Sequence, residues 1–314
     1  MKSLVRIYSV IFALCLFSFS AYAMLDTFVI TRVYAAVEQE TEQAESAQSA
    51  SEAMTAAALS WPEGGESAAA QEQTATGTDS SYSDGNMSIR LSSYRVSNTT
   101  VYVADIQTGD AAALKTAFSQ SGYGRNVTAA TSETSEKVGA ILAVNGDNYG
   151  SREKGYVIRN GVLYRDAAAQ NQEDLVIWED GSFSLVRESE ISARELLEQG
   201  ARQVFSFGPG LLENGEITVG TDEEVDRAKA SNPRTAVGIL EEGHYVLVVS
   251  DGRSEESEGL SLYELAAFMQ SLGVQTAYNL DGGGSSTMVF QGSVVNTPSG
   301  RGNSERAVTD ILYL

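Results

Sequence analysis

The stretch Tyr278-Asn279-Leu280-Asp281-Gly282-Gly283-Gly284-Ser285-Ser286-Thr287-Met288 decides how this chain is read. An apolar strand delivers a carboxylate into a loop of three glycines, followed by three hydroxyls. Without Cβ atoms, the backbone N–H groups of Gly282, Gly283 and Gly284 are free to converge on an oxyanion while the strand holds Asp281. Such a loop suits a phosphorylated or polyhydroxylated ligand; on local pattern alone, a glycine-rich hairpin is the alternative. No lysine follows the glycines and no helix signal succeeds them, so a nucleotide P-loop does not fit. The spacing also misses the dinucleotide fingerprint and the nucleophile elbow. Residues 288–290, Gln291-Gly292 and residues 293–295 read instead as strand, turn and strand.

Working outward, β-branched and aromatic enrichment predicts strands over residues 100–106, 141–144, 236–240, 245–250 and 308–314. Asn160-Gly161 and Asp180-Gly181 predict hairpins with type I′ turns. Asp110 is expected to cap a short helix with Leu114 and Phe118 on one face. Capping boxes stand at Ser192…Glu195, Thr221…Glu224 and Ser261…Glu264. The last precedes an apolar stripe of Leu262, Leu265, Ala266, Met269 and Leu272, which Gly273 ends. The pattern is that of an α+β fold, with mixed twisted β-sheets and flanking helices in a single domain over residues 86–314, behind an N-terminal membrane segment.

In that segment, residues 1–37, Lys2 and Arg6 precede an uncharged apolar run over residues 7–25. At 1.5 Å per residue this run is about long enough to span a bilayer core. A basic start before such a run is an export signal, either an uncleaved single-pass anchor or a signal peptide cut near Ala21-Tyr22-Ala23. Both readings place the rest of the chain outside the cytoplasm, the first at the cell membrane and the second secreted. Residues 38–85 are rich in Ala, Ser, Gln and Glu; ten acidic residues lie between Glu38 and Asp84, with no Lys or Arg. They offer too little apolar surface to offset ordering entropy and read as a disordered acidic stalk. The chain's net charge of −21 argues against nucleic acid as a partner. Its sole cysteine, Cys15, lies in the apolar run, so the exported part has no disulfide partner.

The chemistry must rest on carboxylates. The only histidine, His244, stands beside a Glu-Glu-Gly turn, and a Ser-His-Asp triad, a Cys-His pair or a His-rich zinc site does not fit. Asp147, Asp251 and Asp281 each follow a predicted strand next to glycine; taken singly each reads as a turn-making Asp, and it is the shared pattern that predicts convergence on one cleft. Arg234, Arg253 and Arg306 supply guanidinium forks suited to phosphate oxygens, or else surface ion pairs. Phe207-Gly208-Pro209-Gly210 forms a rigid turn that would shape a rim. No cofactor is required by the sequence, although the clustered Asp and Asn oxygens leave room for a divalent cation.

Together the segments 143–146, 207–209, 232–238, 251–253 and 279–287, with Asn296 and Glu305-Arg306, resemble the phosphodiester glycosidase family, that of the uncovering enzyme, which removes N-acetylglucosamine from a phosphodiester on mannose. They occur in the family's order, and residues 279–286 are the specific part. Many members carry Asn-Gly-Gly-Phe-Phe where this chain has Asn145-Gly146-Asp147-Asn148-Tyr149, so no catalytic role passes from them to Asp147. The resemblance extends to bacterial exopolysaccharide-related members. It implies an extracytoplasmic hydrolase that cleaves the anomeric C1–O bond of a sugar 1-phosphodiester in a surface glycan. Under it, Asp281 stabilises the oxocarbenium-like transition state or activates water, with Asp251 as its partner. Arg234 and the backbone of residues 282–285 clamp the phosphate, and Asn145 and Asn279 orient the sugar. Asp147, Arg253, Ser286, Thr287, Glu305 and Arg306 complete the substrate-binding set. A non-catalytic phosphoglycan-binding domain and a glycan-phosphate transferase using the same site are the alternatives.

Overall fold

In the computed structural model, residues 2–37, 80–222 and 231–314 are described. The assignment of residues 38–79 to a stalk and the Thr221…Glu224 capping box therefore fall wholly or partly outside the described residues.

The strand His244–Ser250 (His-Tyr-Val-Leu-Val-Val-Ser) is buried along its whole length, because both of its faces are covered. It lies inside an eight-stranded sheet, ordered Glu216–Ile217, Gly210–Glu213, Thr276–Asn279, Arg234–Glu241, His244–Ser250, Thr99–Thr108, Met87–Val96 and Ser80–Ser83. One face carries Val237, Ile239, Tyr245, Leu247, Val249, Tyr278 and Leu280 into the main core. Opposing them there are Leu142, Val144, Met288 and Leu312 from one five-stranded sheet and Leu175, Ile177 and Phe205 from another. The other face, with Val103, Ala236, Val246, Val248 and Ala277, is covered by helix α4 (Leu262–Ser271). The expected stripe of α4 is buried at Leu262, Leu265, Ala266 and Met269, with Leu272 packed partly against it. Its Ser261 cap is completed by Glu264 in a reciprocal capping box. The Ser192…Glu195 box likewise opens α3 (Ala193–Glu198).

Every ladder among the described strands is antiparallel, which corrects the expectation of mixed sheets. The domain is mostly β-sheet with few helices. Tight turns rather than helical crossovers join many of the neighbouring strands, and that connection forces antiparallel pairing. At Asn160-Gly161 both residues have positive φ (51° and 76°), as a type I′ turn requires, whereas at Asp180-Gly181 only the glycine does. There Asp180 Oδ1 accepts from Ser182 N at 2.9 Å instead, closing a longer loop. No helix follows Asp110, whose Oδ1 accepts from Ala112 N in a turn. Residues Lys115–Phe118 form a strand, drawn out of helical geometry by the open edge of Asp310–Tyr313. Helix α2 (Thr131–Val138) was not anticipated, since its Ser/Thr-rich sequence carries almost no apolar stripe.

The structured domain begins earlier than residue 86. Strand Ser80–Ser83 pairs with residues of Met87–Val96 across a turn in which Asp84 Oδ1 accepts from Asn86 N and Met87 N at 3.0 and 2.9 Å. The segment after helix α1 (Lys2–Phe28) also docks on the domain: Arg32–Val33 pairs with Gly124–Arg125, and Val37 N donates to Leu163 O at 2.8 Å. Among the described residues no helix is long and apolar enough to cross a membrane, so the structure does not carry the spanning reading of residues 7–25.

The layers are locked by one buried charge cluster. Arg159 donates to Asp147 Oδ1 at 2.6 Å and to Asp310 Oδ2 at 2.8 Å, with all three side chains at most 2% exposed. Burial, reinforced by the Asp147 charge, pushes the Asp310 carboxyl up to about 7 despite Arg159. A second buried acid, Asp174, lies beside Glu188; burial first, then the Glu188 charge, raises its carboxyl well above the usual range. A carboxyl raised on folding contributes stability that is present below its unfolded value of about 4 and lost as pH rises toward the folded one. Asp174→Asn, which needs no proton, should therefore flatten the decline in Tm between about pH 5 and pH 8 and raise Tm at the upper end. An unchanged Tm profile would show that Asp174 folds ionised.

Candidate active site

Strand Thr276–Asn279 hands the chain to the glycine loop deep in the domain. Leu280 N donates to Thr235 O at 2.8 Å and Asp281 N to Gly146 O at 3.2 Å, so the carboxylate starts from a fixed backbone. The loop makes a single 3-10 turn, Gly283–Ser285, with Gly283 at φ +63°. Two positions call for glycine, Gly282 by close approach and Gly283 by its left-handed backbone. A Cβ on Gly282 would lie 2.8 Å from Pro233 O, and one on Gly283 would lie 2.7 Å from the movable end of Arg253. The expected N–H cradle is half spent: Gly283 N donates to Pro233 O and Ser285 N to Gly282 O, whereas Gly282 N and Gly284 N make no hydrogen bond among the described residues. Positive charge at the loop comes from side chains.

Asp281 is held through one oxygen. Its Oδ2 accepts from Ser285 Oγ at 2.6 Å and from Arg306 Nη2 at 2.7 Å, while Arg306 Nε donates to Ser285 Oγ at 2.7 Å. Oδ1 has no hydrogen-bond partner among the described residues, so the open oxygen of a carboxylate with a locked rotamer is available to a ligand. The Arg253 guanidinium lies against Gly283 and is steered by Asn232 Oδ1, which accepts from its Nη2 at 3.0 Å. Arg253 itself sits at φ +62°, a left-handed conformation that turns the exposed fork toward the loop.

Asp251 leaves the end of strand His244–Ser250 and is 7% exposed. Its Oδ1 accepts from Thr297 N at 2.8 Å and its Oδ2 from the Tyr102 hydroxyl at 3.4 Å. Burial raises the Asp251 carboxyl, against the lowering effect of the Thr297 N–H. Burial and the Asp251 charge together push the Tyr102 phenol up to about 12, so Tyr102 remains a donor at neutral pH. Residues 296–306 tie this corner to the glycine loop. Asn296 Nδ2 donates to Ser286 O at 3.0 Å, Ser299 Oγ to Gly283 O at 3.3 Å and Arg306 N to Gly284 O at 3.2 Å. The loop thus joins Asp251, Asp281 and Arg306, with Arg253 beside Gly283, into one constellation.

Other expected site residues serve different ends. Asn145 is a buried brace: its Nδ2 donates to Asp281 O at 2.6 Å, and its Oδ1 accepts from Thr235 Oγ1 at 2.8 Å and Thr287 N at 3.2 Å. Its polar atoms are spent on protein, which leaves it no sugar-orienting role. Asp147 is engaged inside the Arg159 cluster, and its Oδ2 accepts from Ser206 N at 2.8 Å. Arg234 is 3% exposed, its Nε donates to Leu260 O at 2.8 Å, and its charge lies near Glu264 of α4; it is held under the sheet and is not presented at the loop. Glu305 accepts from Ser132 N at 3.0 Å and so caps the start of α2. Ser286 and Thr287 are buried, and their hydroxyls, like Asn279 Oδ1, have no hydrogen-bond partner among the described residues. Such orphaned groups cost about 1–3 kcal/mol each unless a water or ligand meets them. Asn279 Nδ2 donates to Gly208 O at 2.8 Å, which fixes the Phe207-Gly208-Pro209 rim.

Tyr102, Thr297 and Ser299 escaped the sequence reading, and Asn232 entered it only as part of the 232–238 segment, with no site role. Tyr102 sits in an alternating strand where an aromatic signals only β-propensity, and Thr297 and Ser299 lie in a loop without a motif. Among the described residues, no group of three or more His, Cys, Asp or Glu side chains is placed to hold a metal ion.

Residues 138–314 match the family model described as phosphodiester glycosidase. The SPbeta prophage-derived uncharacterized protein YomE of Bacillus subtilis (strain 168) is 32% identical over 180 residues, which cover 56% of this chain and 28% of that protein. N-acetylglucosamine-1-phosphodiester alpha-N-acetylglucosaminidase of Mus musculus is 29% identical over 188 residues, covering 54% of this chain and 36% of that one. The chain therefore spans well under half the length of these relatives. Among solved structures, the zebrafish N-acetylglucosamine-1-phosphodiester alpha-N-acetylglucosaminidase catalytic domain, auto-inhibited by its pro-peptide, superimposes with a TM-score of 0.59 at 25% identity, over 77% of this chain and 87% of that one. A hypothetical protein from Synechocystis shares the fold with a TM-score of 0.53 at 14% identity, over 76% of this chain and 64% of that one.

Proposed function

The chain belongs to the phosphodiester glycosidase family, and from that premise we propose that it hydrolyses a sugar 1-phosphodiester at the anomeric C1–O bond, releasing a sugar and a phosphate monoester. The observation that carries the reading is the Asp281 carboxylate, pinned through Oδ2 by Ser285 and Arg306 and open at Oδ1, on a loop whose next-but-one residue, Gly283, supports Arg253. The open oxygen stabilises positive charge developing at the anomeric carbon or activates a water there. Arg253 and Arg306 hold the phosphate oxygens, a role better supported for them than for buried Arg234. A phosphate monoester whose charge is neutralised leaves readily, so little general-acid assistance is needed. Asp251, raised by burial, supplies what proton is required, and Tyr102 orients it. N-acetylglucosamine is the first sugar to test, because the similar mouse enzyme is named for it. The export reading of residues 1–37 supports an extracytoplasmic surface glycan as the natural substrate.

The test is sugar release by the full chain from UDP-N-acetylglucosamine and a panel of sugar 1-phosphodiesters. Binding without turnover across that panel would identify a glycan-binding domain and reject the hydrolase. Arg253→Ala is expected to raise KM about tenfold with a smaller effect on kcat, the loss of one charge-assisted contact. An unchanged KM would remove Arg253 from the phosphate site.

A further inference from the structure

A cleft of about 300 Å³ shares no lining residue with the glycine-loop site. Its walls carry Arg125, Arg152 and Arg165 together with Tyr34, Tyr123 and Tyr149, and Glu153 is the one acid in the lining among the described residues. In a chain with 42 acidic and 21 basic residues, the described lining residues reverse the balance, with three guanidinium groups against one carboxylate. Arg165 is fixed by its Nε on Gly155 O at 2.6 Å and its Nη1 on Tyr149 O at 3.0 Å and Arg152 O at 2.6 Å. Its Nη2 is buried without a hydrogen-bond partner among the described residues, a donor that lacks an acceptor. Arg152 lies 4.9 Å over the Phe207 ring, and its Nη1 donates to Ser206 O at 2.9 Å. Arg125 enters no ion pair among the described residues.

The aromatic side of the cleft is equally built. Tyr123 stacks on Tyr149 with centroids 5.0 Å apart, and the half-exposed Tyr34 ring stands 6.0 Å from Tyr123. Tyr34 is held there because Arg32–Val33 pairs with Gly124–Arg125 and Tyr34 N donates to Tyr123 O at 2.8 Å. Gly124 makes this approach possible, since any Cβ would collide with the passing Arg32 carbonyl. Flat apolar ring faces beside guanidinium forks match a ligand with one apolar C–H face and one oxyanion.

We propose that this cleft is a binding subsite for an anionic sugar unit, its ring against Tyr34 and Tyr123 and its phosphate or carboxylate on Arg125 and Arg152, with the fixed Arg165 guanidinium adding its charge behind them. The subsite stands apart from the hydrolase reading, because it uses none of that site's residues.

The experiment is hydrogen–deuterium exchange on the full chain with glucose 1-phosphate, glucuronate and neutral glucose as probes, together with titration of affinity. Protection is expected at residues 30–37, 123–125 and 149–155 with at least one anionic probe, and at least about tenfold weaker with glucose. Which anionic probe protects identifies the oxyanion as phosphate or carboxylate. Arg125→Ala should weaken that protection about tenfold while leaving any protection at residues 281–287 intact. Tyr34→Ala, a change at a half-exposed ring, should weaken it independently. Asp281→Asn should leave the cleft signal unchanged, so failure of the hydrolase leaves this test standing. Absence of protection with both anions, equal protection by glucose, or protection unchanged in both Arg125→Ala and Tyr34→Ala would overturn the assignment.

Discussion

Asp281→Asn is expected to reduce sugar release from a sugar 1-phosphodiester by about a thousandfold or more, the scale of removing a preorganised charge from a transition state. The substitution nearly preserves shape. An Asn oxygen in the Oδ2 position still accepts from Ser285 Oγ and Arg306, so the loop keeps its anchor and the fold its stability. What disappears is the negative charge on the open oxygen, which only the transition state requires in full. The expected signature is therefore a collapse in kcat with KM little altered. Sugar release by Asp281→Asn within tenfold of the parent chain would sink the assignment. Unchanged melting would exclude unfolding as the cause of a loss.

Arg159→Met is expected to destabilise the domain by about 3–5 kcal/mol or more, because removing one partner of a buried ion pair strands the other charge. Here two carboxylates are stranded. Asp147 and Asp310 both depend on Arg159, and neither exceeds 2% side-chain exposure. The guanidinium also donates from Nη1 to the carbonyls of Ile158 and Val204 and lies 4.4 Å over the Phe205 ring, so it fastens one five-stranded sheet to the Asp310–Tyr313 strand of the other. Arg159→Lys should recover only part of the loss, since an ammonium cannot fork between two carboxylates. Urea midpoints at pH 7 decide the matter. A loss below about 1 kcal/mol would mean that both acids fold protonated and need no cation.

Much of the site was legible in the sequence, and the reasons differ by residue. Asp281 and Asp251 could be located because strand ends and glycines fix where a side chain emerges, and the structure ties both to one loop. Asp147 carried the same local signal, yet it faces inward to Arg159, and nothing in Asn145-Gly146-Asp147 distinguishes the two directions. Arg234 lies buried for a related reason. In a strand covered on both faces, polar and apolar residues alternate between two interiors, and its side chain went to the α4 side. The glycine triplet also gained a second meaning: it admits the Pro233 carbonyl and the Arg253 guanidinium, and of its N–H groups only that of Gly283 is spent on the protein.

By itself the sequence determined the order of the strand and turn segments around residues 278–288, the reliance on carboxylates and the family resemblance. These follow from local propensity, residue inventory and motif, all of which are properties of neighbours along the chain. Only the tertiary structure decided that Arg306 and Ser285 hold Asp281, that Arg253 lies against Gly283 while Arg234 is buried, that Glu305 caps a helix, and that residues 30–37 return to the domain to wall a second cleft. Those outcomes depend on which face of a sheet each side chain enters and what packs against it, and distant segments settle both.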